Sequence, residues 1–187
     1  MVRQLESLMK LFAGMLVLAL LAATAAQGAD NPNSVALTRA MRSDEIAVAT
    51  AKRNFLNGSM AERYGKTNAG CVKRIPYADF TAGWARVIDS VLSGEEIDSA
   101  LTFFKSDAGV KYVEGMLRRL RAREGGEVFP EVPGKEDVSP AQSAAISDFS
   151  SSELGRKVMG KDLTVSPAAE TFGRELLQQI AGKCGGK

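Results

Sequence analysis

The chain has 187 residues, 24 Lys or Arg against 22 Asp or Glu, a net charge of +2 and no histidine. So even a balance gives no global attraction for nucleic acid or another acidic polymer. Without histidine or clustered cysteines, zinc, haem and histidine-dependent nucleophile sites lose their usual ligands and bases, so no metal and no cofactor is expected.

The N-terminus reads as a targeting segment. Arg3 and Lys10 precede an apolar run from Leu11 to Ala23, and small residues follow from Ala22 to Ala29. The run is short for a span of about 20 residues, and no stop-transfer pattern succeeds it. A signal peptide over 1–28 is expected, cleaved after Ala25, Ala26 or Gly28, leaving no stable membrane span. No cysteine follows these sites, which argues against a lipoprotein. The expected location is periplasmic or secreted. The rest, 29–187, is the size of one ordinary domain with room for a core.

Small apolar and polar residues recur at helical spacing from Asn33 to Leu56, and Ser43 before Asp44 and Glu45 reads as a cap starting a second helix. Asn57-Gly58 is a helix stop. Ser59 to Tyr64 suits a further turn or two, and Lys66 to Arg74, with Gly65, Gly70 and Cys71, reads as a loop. Pro76 suits the first position of a helix whose apolar face is Phe80, Trp84, Val87, Ile88 and Val91.

Leu92 to Val113 reads as two helices meeting at a sharp corner. Ser93 and Glu96 have the spacing of a capping box, and Ile97, Ala100, Leu101 and Phe104 form one stripe. Ser106 caps the next helix and Asp107 sets negative charge at its positive end. Gly109, a poor helix former in a first turn, points to close approach of the preceding helix. Val110, Val113, Met116, Leu117 and Leu120 continue the apolar stripe. The corner recurs more faintly as F-x-x-S-[D/E]-x-G-x-K. Phe103, Ser106, Asp107, Gly109 and Lys111 are followed at a constant offset by Phe149, Ser152, Glu153, Gly155 and Lys157. Helix caps and core aromatics account for these residues without chemistry.

Arg118, Arg119, Arg121 and Arg123 on the same helix form a basic run. It suits phosphates, anionic lipid or an acidic partner. It equally suits a solvated face near a helix C-terminus, and acidic residues at Glu124, Glu127, Glu131, Glu136 and Asp137 favour this second reading. Gly125 to Ser139 is the main connector. Ser139-Pro140 opens the second corner, Asp162 to Ser166 is another connector, and Ser166-Pro167 starts a last helix with Phe172, Leu176, Leu177 and Ile180 inward. No run combines β-branched residues, alternation and hairpin turns. The fold class is therefore all-α, a single-domain helical bundle with two αα-corner repeats.

Cys71 and Cys184 are the only cysteines. In an exported chain an even pair favours a disulfide within the chain, with free thiols or an intermolecular bond as alternatives. They lack the C-x-x-C spacing of a redox enzyme.

Ser93-Gly94-Glu95-Glu96-Ile97 followed by Phe103-Phe104-Lys105-Ser106-Asp107-Ala108-Gly109-Val110-Lys111 resembles the signature of the bacterial domain-of-unknown-function family 2059. That family has an E-E/L-I-x-x-x-x-x-F-[Y/F]-x-S-P-x-G-x-K pattern in exported helical proteins. Asp107 stands where the family usually has Pro and Phe104 where Tyr is common. The likeness covers about 77–120, with weaker support from the second corner in about 140–182. It implies an exported helical protein and carries no activity.

No Walker A loop, dinucleotide fingerprint, HExxH or G-x-S-x-G occurs. The function expected is a non-catalytic interaction or binding module of the cell envelope, acting on an unknown envelope protein or ligand. The alternative is a hydrolase using Asp/Glu pairs, for which Glu95, Glu96, Glu124 and Glu127 are the nearest candidates. Binding of a lipid or apolar ligand between helices would need a cavity.

Overall fold

Capping chemistry sets most helix starts in this chain. The computed structural model describes residues 31–124, 128–129, 131–132 and 137–185, the side chains of Glu124 and Lys161 excepted. The expected signal segment and part of the main connector lie outside the described residues. Asn31 accepts the backbone N–H of Asn33 at 3.0 Å and, with Pro32 in the first turn, opens α1 (Pro32–Met41). Arg42, in the left-handed region at φ 51°, ends it and leads into α2 (Ser43–Leu56). Ser43 is therefore not the cap that was expected. It lies inside the helix and donates to the Thr38 carbonyl at 3.4 Å, while the Arg42 guanidinium folds back onto Glu45 at 2.6 Å.

Asn57-Gly58 stops α2, with Gly58 at φ 80°, and one turn follows as α3 (Ala61–Tyr64). The stretch read as a loop from Lys66 to Arg74 contains a helix, α4 (Ala69–Arg74). The Asn68 side chain accepts the Cys71 N–H at 2.9 Å, and burial of Val72 offsets the poor propensity of Gly70. Pro76 does not open a helix either. A 3₁₀ turn (Ala78–Phe80) leads into α5 (Thr81–Val91), whose Thr81 hydroxyl donates to the buried Asp44 carboxylate.

The two corners form as the spacing predicts. Helix α6 (Gly94–Lys105) has its Ser93–Glu96 capping box, and α7 (Asp107–Glu124) starts with the Gly109 N–H donating to Ser106 Oγ at 3.2 Å. The second corner is α8 (Pro140–Ser151), with a Ser139–Gln142 capping box, then α9 (Glu153–Met159), where Gly155 N–H donates to Ser152 Oγ at 2.9 Å. The connector expected at Asp162 to Ser166 is partly helical, as α10 (Lys161–Thr164). That turn seats Leu163 in the core at 1% exposure, burial that outweighs the turn signals around it. Ser166 and Pro167 open α11 (Pro167–Cys184). Among the described residues no strand forms beyond a single bridge between Thr67 and Gly185. The fold is all-α, and 31–187 is one compact unit.

Helix α1 lies across α5 and α6, and α11 packs on α5, α2 and α4. The core joins Leu37, Val48, Trp84, Ile88, Phe104 and Ile180 among others. Val110 departs from the expected stripe and is 44% exposed. The sharp corner turns Ala108 and Gly109 inward against the end of α6, which rotates Val110 out. Val128 and Phe129, expected only as connector, are buried with Ala49 in a small second cluster. Tyr77 donates its hydroxyl to the Val128 carbonyl at 2.5 Å and pins the connector there.

The corners pack on each other through equivalent residues. Phe103 and Phe149 stack face to face, centroids 3.8 Å apart and planes 4° from parallel. Helix α7 meets α8, and α6 meets α9, so each corner's first helix packs on the other's second. This reciprocal exchange is the contact pattern of a self-complementary pair. Lys157 of the second corner also bonds Glu96 of the first at 2.7 Å.

Cys71 and Cys184 lie at disulfide distance, their sulfurs 2.03 Å and their Cα atoms 5.5 Å apart. The bond ties α4 to the end of α11, beside a hydrogen bond from Asn68 N–H to the Cys184 carbonyl at 2.8 Å.

Candidate functional site: an apolar groove between α2 and α11

One stretch of α2 presents small side chains to the groove. Ala47, Thr50 and Ala51 lie one helical turn apart or adjacent, and this face turns toward Phe172, Gly173 and Leu176 on α11. Small side chains on one wall and a glycine on the other leave space that the core does not fill. The result is a groove of about 470 Å³. Tyr112 and Met116 of α7 and Val158, Met159, Gly160 and Leu163 close its sides, with Trp84 and Phe104 among its lining. Its size falls within the usual range of small-molecule sites.

The lining decides what such a space can hold. Among the described residues no Asp, Glu, Lys or Arg lines it, and its polar groups are uncharged, as in Ser43, Thr50, Asn54 and Thr164. Three methionines, Met41, Met116 and Met159, line it too, and flexible thioether chains adapt to irregular apolar shapes. Among the described residues a charged group would find no paired charge there to offset its desolvation.

Gly173 is informative. It sits in the interior of α11, where glycine costs about 1 kcal/mol relative to alanine. A Cβ built there meets nothing within 4 Å, so no neighbour requires its absence. Gly109 and Gly155 are the opposite case. A Cβ on Gly109 would stand 2.1 Å from the Phe103 carbonyl oxygen, and one on Gly155 1.7 Å from that of Phe149. Two glycines are demanded by the corners, and the third lines the groove with open space where a Cβ would stand.

Trp84 is 9% exposed and packs edge-to-face on Phe172 with centroids 5.3 Å apart. Its indole N–H is buried, and among the described residues no acceptor takes its hydrogen bond. Buried indole N–H groups usually have a partner, so this one is an exception.

The corner residues Phe103, Ser106, Asp107, Gly109, Phe149, Ser152, Glu153 and Gly155 come together as one structural unit, and the neighbouring Phe104 and Val158 form part of the groove wall. Of the basic run, Arg121 donates to the Phe129 carbonyl at 2.7 Å and pairs with Glu131 at 3.5 Å, holding the connector. Arg118 pairs with Glu114 at 3.4 Å, whereas Arg119 and Arg123 are exposed. Glu95 is exposed on α6, Glu96 bonds Lys157, and neither lines the groove. The Lys157 ammonium holds the Glu96 carboxyl below its ordinary value of 4.5. Glu124 and Glu127 lie outside the described side chains. Among the described residues no three His, Cys, Asp or Glu groups are placed to hold a metal ion, and no helix is long and apolar enough to cross a membrane.

The groove was not legible residue by residue, yet a signal existed. Ala47, Thr50 and Ala51 of α2 face Gly173 of α11, small residues on both sides. In comparisons with known proteins no family model, no curated protein and no solved structure matches the chain.

Proposed function

We propose that the protein is an exported, non-catalytic binding module of the bacterial cell envelope that takes an apolar small molecule into the groove between α2 and α11. The observation that carries this reading is a space of about 470 Å³ whose lining, among the described residues, carries no charged side chain. Export rests on the apolar segment Leu11 to Ala23 behind Lys10, and the cysteine pair at disulfide distance suits an oxidising compartment. The likeness of the first corner to domain-of-unknown-function family 2059 points the same way. The groove is a better candidate than the basic helix, because Arg118 and Arg121 already serve internal contacts.

The test is direct. Purified protein is titrated with the neutral fluorophore N-phenyl-1-naphthylamine, and an organic extract of the same preparation is analysed by mass spectrometry. Saturable binding of one fluorophore per chain, displaced by the extracted compound, is expected. Absence of saturable binding from a fully delipidated preparation contradicts the reading.

A further inference from the structure

Three of the four methionines among the described residues line the groove. Met41 comes from the end of α1, Met116 from α7 and Met159 from the end of α9, so three separate elements bring a thioether to one space. Met60 is the exception and lies outside the lining. On the apolar-binding reading above, we infer that Met41, Met116 and Met159 form a modification site for hydroperoxides. Their oxidation to sulfoxides abolishes the groove's hold on an apolar ligand.

Two features converge on this role. The first is access. All three methionines are half-buried, whereas Phe104, Leu163 and Phe172 of the same lining are buried. The thioethers therefore stand where a small oxidant reaches the groove from solvent. Cys71 and Cys184 are paired and no free thiol competes for that oxidant. A thioether sulfur attacks one oxygen of hydrogen peroxide, the O–O bond breaks, and one sulfoxide and one water result. The sulfur loses two electrons and the peroxide gains them.

The second feature is the consequence. A thioether adapts to an apolar body, but a sulfoxide oxygen is a polar acceptor that keeps its water. An apolar ligand could then enter only by stripping that water and leaving the acceptor unsatisfied. Because the three residues come from three elements, a ligand that fills the space meets the change on several sides.

The experiment follows modification and binding together. Purified protein is treated with graded hydrogen peroxide, which is then removed. Each sample is divided between peptide mass spectrometry, a melting curve and titration with N-phenyl-1-naphthylamine. Sulfoxide should form at Met41, Met116 and Met159, and affinity should fall by about 5–150-fold, the range for burying one unsatisfied polar group. The loss should track these three residues and not Met60. A triple variant, Met41→Leu with Met116→Leu and Met159→Leu, keeps size and apolar character and should bind equally before and after peroxide. Met60→Leu should lose binding as the wild type does. The inference is wrong if the three stay reduced where free methionine is oxidised, or if they are oxidised and binding is undiminished. Loss of binding in the treated triple variant, or only in samples that have lost their melting transition, overturns it as well. Absence of saturable binding before any treatment is a different result, and it defeats the groove reading and this inference together. The graded series uses the wild-type chain, so it decides even if the triple variant does not fold.

Discussion

Lys52 shows how far one residue can depart from its expected place. It is 2% exposed on α2, donates to the Lys73 carbonyl at 3.2 Å and lies 4.3 Å from the centre of the Tyr77 ring. Its ammonium thus serves the carbonyl end of α4, where a cation is favoured. Burial pushes its pKa below the ordinary 10.5. Between the lowered value and 10.5 the unfolded chain binds more protons than the folded one, so this residue makes stability rise with pH in that window. Lys157 acts oppositely. Its pKa is raised, chiefly by the hydrogen bond to Glu96, so its contribution is complete below 10.5 and is lost as pH rises through the raised value. Lys52→Met should leave the fold intact, raise stability at neutral pH by about 1 kcal/mol and abolish the alkaline rise. Chemical unfolding at neutral and alkaline pH checks this, and a loss of several kcal/mol would show that the carbonyl and ring contacts outweigh desolvation. Nothing in the local sequence marks Lys52 as inward, because its partners come from α4 and Tyr77, distant in the chain.

At the scale of the element, the corners were the legible part. Ser93, Ser106, Ser139, Ser152 and Ser166 all cap as their spacing implies, because capping depends on residues within one turn. The misreadings fall where distant contacts override local signals, as at α4, whose weak helix is tied to the end of α11. The glycines give a sharp prediction of opposite signs. Gly109→Ala and Gly155→Ala should each destabilise by about 2–4 kcal/mol, since the new Cβ would collide with backbone. Gly173→Ala should instead stabilise by up to ~1 kcal/mol, the gain in helix propensity with no clash. Melting curves of the three variants decide, and equal effects would remove the steric account of the corners. Across the corners, Lys157→Met should flatten the acid limb of the stability curve. Glu96 stabilises the fold above its ordinary 4.5 and loses that contribution as pH falls through its lowered value.

For the molecule as a whole, the disulfide and the groove are complementary. The cysteines are 113 residues apart in sequence, so their bond constrains nearly the whole unfolded chain by up to about 4–5 kcal/mol in the chain-entropy model. Reduction should lower the melting temperature by several degrees, and thiol titration of denatured, unreduced protein should find none. Such a staple lets a domain tolerate an unfilled space that would otherwise cost packing energy. The pairing was legible because only two cysteines exist. The groove was not, because a cavity is what several helices fail to fill together, and α2 alone shows only a few small residues among larger ones.

The central claim is that this space takes up an apolar ligand, and Gly173 offers the cleanest way to ask. Gly173→Leu places a side chain in the groove where its first atom meets nothing within 4 Å, so the fold should survive and melt no lower than wild type. N-phenyl-1-naphthylamine should bind the wild-type chain saturably and bind Gly173→Leu at least about tenfold more weakly, the loss of a well-filled apolar contact. Equal binding by the two proteins would contradict the account.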